Sequence, residues 1–235
     1  MNGARRFYRE VSCQAEGRGE YRVLLDGKPV RTPAGALLGL PSAALAEAIA
    51  AEWLGQGEKL RPETMALTKL ANTAIDQVRP NRQQTIAQIL AFARSDLVCY
   101  RAEAPDLLVQ RQIAEWNPLL EWARTRYGAN FISGNGIAFI EQPAQALAAL
   151  ERAISERDDF TVAGLHAAVT LLGSAVIALA LLEGRLTPDQ AFAAAQLDEI
   201  FQAERWGQDL EAQNLSRRKA AELSDIAGFL SALRD

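Results

Sequence analysis

The stretch 162–182, VAGLHAAVTLLGSAVIALALL, decides what kind of fold this chain adopts. It runs for 21 residues without Asp, Glu, Lys or Arg, about the length that spans a bilayer. Six Ala, two Gly, His166, Thr170 and Ser174 dilute its hydrophobicity, and no cluster of aromatic or basic residues anchors its ends. A helix apolar all round also suits the centre of a soluble bundle. The composition favours that reading, so the stretch is expected to be one core helix over about 160–183, with no membrane insertion.

The segments around it read as further helices. They cover roughly 82–100, 106–127, 143–156, 188–206 and 217–233, where apolar residues such as Ile86, Ile89, Leu90 and Ala93 recur at helical spacing. Pro118 cannot donate a hydrogen bond to Ala114, so Asn117 is expected to cap a new helix with Pro118 at its first position. A short hairpin is predicted within 130–141 (NFISGNGIAFIE), turning at 133–136.

The N-terminal part reads differently. YRVLL (21–25) and PVRT (29–32) flank Asp26-Gly27, two residues that tolerate positive φ, which predicts a β-hairpin. Residues 7–14 and 36–40 are the neighbouring strands. Ser42 is placed to cap a helix over 43–53 that ends at Gly55 or Gly57, with Leu45, Ile49 and Trp53 on one stripe. Pro62 restarts the chain into a second helix, and Pro80-Asn81 ends it. The fold class is therefore α+β. A small β-rich α+β domain (1–80) precedes a larger all-α orthogonal helical bundle (81–235).

Composition bounds the function. The 235 residues are 49% hydrophobic and 23% charged, as in ordinary globular proteins. Twenty-five basic residues against 29 acidic ones give a net charge of −4, and no Lys/Arg stripe exists that would neutralise phosphates. No nucleic-acid partner is expected. Cys13 and Cys99 are too few for a disulfide scaffold and read as reduced thiols. The N-terminal MNGARRFYREV carries neither a signal-peptide apolar run nor the length of a transit peptide. A cytoplasmic, monomeric protein is expected.

Recognised catalytic motifs are missing. His166 is the single histidine and lies in the apolar helix, where it reads as a core residue rather than a catalytic base. Zinc sites built on several His or Cys are excluded by count. No Walker loop, GxGxxG or GxSxG occurs. No cofactor and no metal are expected.

What remains is the acidic run 197–212, LDEIFQAERWGQDLEA, with five carboxylates in sixteen residues. At 100° per residue Leu197, Ile200, Phe201 and Glu204 share one face, the one expected to be buried. Glu204 there needs a cation, a hydroxyl or a raised pKa. Asp198, Gln202, Arg205 and Asp209 share a second face; Glu199, Ala203, Trp206 and Leu210 share a third. The acidic–aromatic third face has the make-up of a recognition surface, unless Gly207 ends the helix and displaces Leu210. A hydrolase using Glu199 and Glu204 is the rival reading, as is a generic interaction scaffold. Adjacent helix acids such as Asp198 and Glu199, however, diverge by about 100°. Trp53 reads as packing. Trp116 and Trp122 flank the Asn117-Pro118 step.

Taken in order, several segments resemble one family. They are RRFYREV, YRVLLDGKPVRTP, LAEAIAAEW-x-x-Q, MALTKLANTAIDQV, SDLVCYRA, WNPLLEW, LLGSAVIALAL and LDEIFQAERWGQD-x-EA. The chain is similar, from about Arg6 to Leu233, to the assembly chaperones of the F(1) sector of ATP synthase, of the type that binds the alpha subunit. Mitochondria and alpha-proteobacteria have such factors. Departures are Met65-Ala66-Leu67-Thr68 for MPLT, Trp116-Asn117-Pro118 for WDP, and Leu197–Gln202 without its Trp, so no acidic role passes to Asn117. The resemblance implies a non-enzymatic chaperone that masks an apolar surface of the unassembled alpha subunit until beta replaces it. It also implies an α+β N-terminal part before a helical bundle, and a bacterial cytoplasmic member. Asp198, Glu199, Trp206, Asp209 and Glu211 are the candidate client-binding residues. Glu204, His166, Trp53, Trp116 and Pro118 are assigned structural or buried roles.

Overall fold

The Asp26-Gly27 pair sets the first piece of the fold, with φ of 48° and 76° at its two residues. Those values match the right-handed twist of the flanking strands. In the computed structural model, which describes residues 4–207 and 209–234, β1 (Val11–Glu16) pairs antiparallel with β2 (Glu20–Leu25) from Val11↔Leu25 to Glu16↔Glu20. The other edge of β2 takes β3 (Lys28–Pro29) and β4 (Gly39–Leu40), again antiparallel. The Asp26 carboxylate accepts from the Arg9 and Glu10 amides at 3.0 and 2.8 Å, bonds that hold its pKa below the usual carboxylate range. The first strand starts later than the expected residue 7, and the Arg9 and Glu10 amides go to the Asp26 carboxylate instead of to a strand partner.

Helix α1 (Ala43–Leu54) covers this sheet, packing against β1 and β2 with Leu45, Ala46 and Ile49 buried. Ser42 caps it as expected, its Oγ accepting from the Leu45 amide at 3.1 Å and donating to the Ala232 carbonyl. The sequence pattern of α1 serves the next helix, α2 (Ala66–Thr73). Glu52 accepts from the Leu67 and Thr68 amides and from the Thr68 hydroxyl at 2.7–2.8 Å, filling the open donors of a helix start. Gln56 accepts from Arg61 N and donates to Thr64, fixing the intervening loop.

Pro80 does not end the helix. The backbone widens to a π turn over Ala74–Val78, tightens to a 3-10 turn over Arg79–Asn81 and continues as α3 (Arg82–Arg94). This change of pitch accommodates a residue that lacks an N–H. It also directs Asp76 at the Thr32 hydroxyl and the Ala34 amide, at 2.7 and 3.0 Å.

The chain divides into two compact units, the first made of residues 4–82, Asp159–Gly164 and 225–234, the second of Gln83–Asp158 and Leu165–Ser224. Within the first, Asp159 pairs with Arg79 and Arg82 at 3.2 and 2.7 Å. Gly164 admits the side chains of Leu230 and Phe229; a Cβ there would lie 2.5 Å from Leu230 Cδ2.

The second unit is helical, and its centre is α7 (Ala175–Leu182), all eight of whose residues are buried. Burying a Leu or Ile contributes roughly 2 kcal/mol each. The apolar stretch at 162–182 is thus a bundle core, but in two helices rather than one. Helix α6 (Asp159–Leu172) stops at Gly173, where φ is 68°, and Ser174 caps α7 by accepting from Ile177 N at 3.0 Å. The break is held by Asp96. Its carboxylate accepts from the Ala175 and Val176 amides (2.8 and 3.1 Å), from the Ser174 hydroxyl (2.5 Å) and from Val98 N (3.2 Å).

Helix α4 (Asp106–Tyr127) runs unbroken through Pro118, contrary to the expected new start at Asn117. Pro118 and Ala114 both face solvent, so water can serve the carbonyl that Pro118 leaves unpaired. Asn117 instead accepts from Arg101 Nη2 at 2.7 Å. No hairpin forms at 130–141. Its β6 (Gly134–Asn135) pairs in parallel with β5 (Tyr100–Arg101), and Gly136 donates to the Arg101 carbonyl at 2.8 Å. The Gln142 amide side chain pairs with both backbone polar groups of Ile132 at 2.9 Å. The two arms therefore take partners other than each other. Helices α5 (Ala144–Ser155), α8 (Pro188–Ala195), α9 (Leu197–Trp206) and α10 (Leu210–Ala232) complete the order.

Candidate functional site

The acidic run occupies α9, Gly207 and the start of α10. A capping box, Thr187 with Gln190, starts α8. The chain then turns at Gln196 into α9, whose Leu197 and Phe201 are buried and fix which side faces outward. Helix α4 meets α8 through one hydrogen bond and α9 through two. Trp116 Nε1 donates to the Ala194 carbonyl (2.9 Å), Gln112 to Asp198 (2.7 Å) and Arg111 to Glu204 (2.8 Å).

The five acids have different duties. Asp198 is half-buried and holds Gln112, while Glu199 is exposed. Glu204 is exposed rather than buried, with 55% of its side chain accessible and Arg111 as its partner. The face assigned to the core rotates away as the helix nears its end, and only Leu197 and Phe201 are buried on it. Asp209 caps α10 by accepting from Ala212 N at 2.7 Å, and Glu211 follows in the exposed first turn. Gly207, at φ 79°, ends α9 and takes Leu210 off the Glu199–Trp206 face.

Trp206 and Leu210 nevertheless remain 76% and 77% exposed on either side of that break, and Leu215 is 54% exposed one turn on. Arg205 lies over the Phe201 ring at 4.6 Å, keeping the cation beside the helix and off Trp206. Trp206, Leu210 and Leu215 are thus exposed apolar side chains in a run that also exposes Glu199, Asp209 and Glu211. A hydrolase would need convergent, desolvated acids. Here Glu199 and Glu204 both stand in solvent, and Glu204 is committed to a cation.

The residues assigned structural roles are distributed as follows. Trp116 is 1% exposed, with Arg101 at 5.1 Å from its ring. Trp53 is half-buried against Tyr8, whose hydroxyl donates to the Trp53 carbonyl at 2.6 Å. His166 is half-buried, and that burial lowers its pKa. Pro118 is exposed. Sequence reasoning missed Asp96, Arg101 and Gln112, three buried polar residues of this unit. The only available signal was Asp96 as an N-cap before LVC. Among the described residues no group of three or more His, Cys, Asp or Glu is arranged to hold a metal ion, and no helix is long and apolar enough to cross a membrane.

Residues 5–124 match the family described as ATP12 chaperone protein. The chain is 39% identical to Atp12 from Paracoccus denitrificans, covering 98% of this chain and 99% of that one with a TM-score of 0.93. An aspartate-to-lysine mutant of that protein superposes equally well, at 38% identity and a TM-score of 0.93 over 98% of each chain. "Protein atp12, mitochondrial" of Schizosaccharomyces pombe is 25% identical over 215 residues, 86% of this chain and 74% of that protein. The chain belongs to the ATP12 chaperone family, so the resemblance to F(1)-ATPase assembly chaperones is borne out.

Proposed function

We propose that this chaperone binds the unassembled alpha subunit of the F(1) ATPase and shields it until beta takes its place. The observation that carries the proposal is the exposure of Trp206 and Leu210, close in sequence to the exposed Glu199, Asp209 and Glu211, in a chain of this family. Covering one Trp and one Leu contributes roughly 4 kcal/mol before the costs of association. That is a handhold rather than a permanent interface, which suits a partner that beta must displace. Surfaces that bind nucleotide phosphates carry Arg and Lys, and exposed carboxylates complement them. Asp198 contributes by fixing α9 through Gln112. On this reading the protein works as a monomer in a bacterial cytoplasm, without catalytic residues or a cofactor.

The test is co-expression with separate alpha and beta subunits. The wild type should capture alpha selectively and reduce its aggregation. Glu199→Lys combined with Glu211→Lys should abolish capture while the chain stays folded, since both side chains are exposed, make no ion pair within 4 Å among the described residues, and cost only about 0.3–1 kcal/mol each as acids of a helix first turn. Asp209 is a poor choice for this test, because its loss also removes a helix cap worth about 1 kcal/mol. Equal capture of alpha and beta, or full capture of alpha by the double mutant, would refute the assignment.

A further inference from the structure

Residues 130–141 form a loop whose apolar side chains divide between inside and outside. Its base is fastened to β5, with Gly136 donating to the Arg101 carbonyl at 2.8 Å and Ile140 to the Tyr100 hydroxyl at 3.3 Å. Ile140 folds back on Gly134, where a Cβ would lie 2.8 Å from its Cδ1. Phe131 is buried as well. The tip has no such cover. Ile137 stands fully in solvent, and Phe139 and Ile132 are 69% and 50% exposed. A single exposed apolar residue is ordinary on a protein surface, but three in one short, fastened loop mark a place that another surface covers.

The free charge beside the loop is negative. The Glu103 carboxylate lies against Gly136, where a Cβ would come 3.0 Å from its Oε1, and Glu141 follows Ile140 in the chain. Both acids are exposed, and neither has a Lys or Arg nitrogen within 4 Å among the described residues. Segments 102–110 and 127–143 contain no Lys or Arg at all. The neighbouring cations are occupied: Arg101 is buried and bonded to the Val98 carbonyl and Asn117, while Arg124 is bonded to Glu121. One side chain also ties this loop's anchor to the acidic–aromatic run of α9. Gln112 accepts from the Ala102 amide, next to Glu103, and donates to Asp198, next to Glu199, both at 2.7 Å. The two segments are thus held to the two ends of one amide group.

We propose that the tip of this loop is a second contact with the client, in which Ile137 and Phe139 enter an apolar recess of the alpha subunit bordered by Lys or Arg. Glu103 and Glu141 meet those cations. The identity of the client rests on the alpha-subunit reading above, and the link through Gln112 places the loop's anchor beside the run that carries that reading. Large apolar side chains that become desolvated supply most of the energy of a contact, while flanking charges favour encounter and register. A membrane surface suits the loop less well, because carboxylates beside the tip are repelled by anionic headgroups.

The test measures the affinity of the full chain for separately expressed alpha subunit. Ile137→Ser combined with Phe139→Ser should weaken binding roughly tenfold. Both side chains face solvent, and circular dichroism melting establishes that the variant is folded. Glu103→Gln combined with Glu141→Gln should bind more slowly and lose part of the salt dependence that the wild type shows between about 0.1 and 0.5 M. Wild-type affinity in the folded serine variant sinks the loop contact and leaves the alpha-subunit reading standing. Unchanged salt dependence in the glutamine variant overturns the basic border of the recess. Failure of the wild type to bind alpha sinks the alpha-subunit reading, and this contact with it. Binding of the wild type to phosphatidylcholine vesicles that the serine variant does not share would assign the tip to a membrane and overturn the proposal.

Discussion

Replacing Asp96 by Ala removes the acceptor of three backbone amides, Val98, Ala175 and Val176, and of the Ser174 hydroxyl. All lie in the interior, and Asp96 itself is 0% exposed. Each stranded amide costs about 1–3 kcal/mol, so the gross loss is roughly 3–9 kcal/mol. Against this, the substitution relieves the burial of a carboxylate. Desolvation pushes the Asp96 pKa from 3.8 to about 6 even though Ser174 and the three amides pull it down. At 1.36 kcal/mol per pH unit, that rise corresponds to about 3 kcal/mol of offsetting relief at neutral pH. A net loss of roughly 3 kcal/mol is expected for Asp96→Ala at pH 7, read from urea denaturation followed by circular dichroism.

The pH dependence gives a sharper check. Because the folded pKa lies above the unfolded one, the folded protein holds this proton between about pH 4 and pH 6 while the unfolded chain has lost it. The wild type therefore loses stability from this group as pH rises through that window, and none further above it. Asp96→Asn cannot titrate, so the gap in stability between wild type and Asp96→Asn should widen as pH falls from 6 to 4. A gap that is flat, or that narrows toward pH 4, would refute the desolvation argument and show that the hydrogen bonds win.

Two further outcomes are expected. Cys99 is buried, and desolvation together with neighbouring Asp96 pushes its thiol up to about 12, whereas Cys13 is exposed. A disulfide reagent at pH 8 should therefore titrate one thiol in the folded chain and two in denaturant; two reactive thiols in the folded chain would contradict the packing. Gly164→Val should destabilise by about 1–3 kcal/mol or more, because its Cβ would enter the Leu230 and Phe229 side chains, and thermal melting will show it.

Some of this architecture is local and could be read directly. Asp26-Gly27 makes its hairpin and Ser42 caps α1 because the required dihedrals and hydrogen bonds lie within a few residues. The 162–182 stretch is apolar enough that some part of it had to form the core, and α7 does. Other features depended on groups far away in sequence. Gly173 permits a break, but the break is stabilised by Asp96, 78 residues before Ser174. Periodicity placed Glu204 inward, yet Arg111 on α4 meets it in solvent, 93 residues away. The predicted hairpin lost to β5 and to Gln142, which offered better partners for the same backbone groups.

The candidate site divides along the same line. The sequence by itself determined that acids, Trp206 and Leu210 would follow one another around a helix end, because side-chain spacing and a glycine are local matters. Only the tertiary structure decided which of those acids are spent on packing and capping and which are left facing solvent. A carboxylate's availability depends on the donors that other segments bring to it, and those donors come together only when the chain folds.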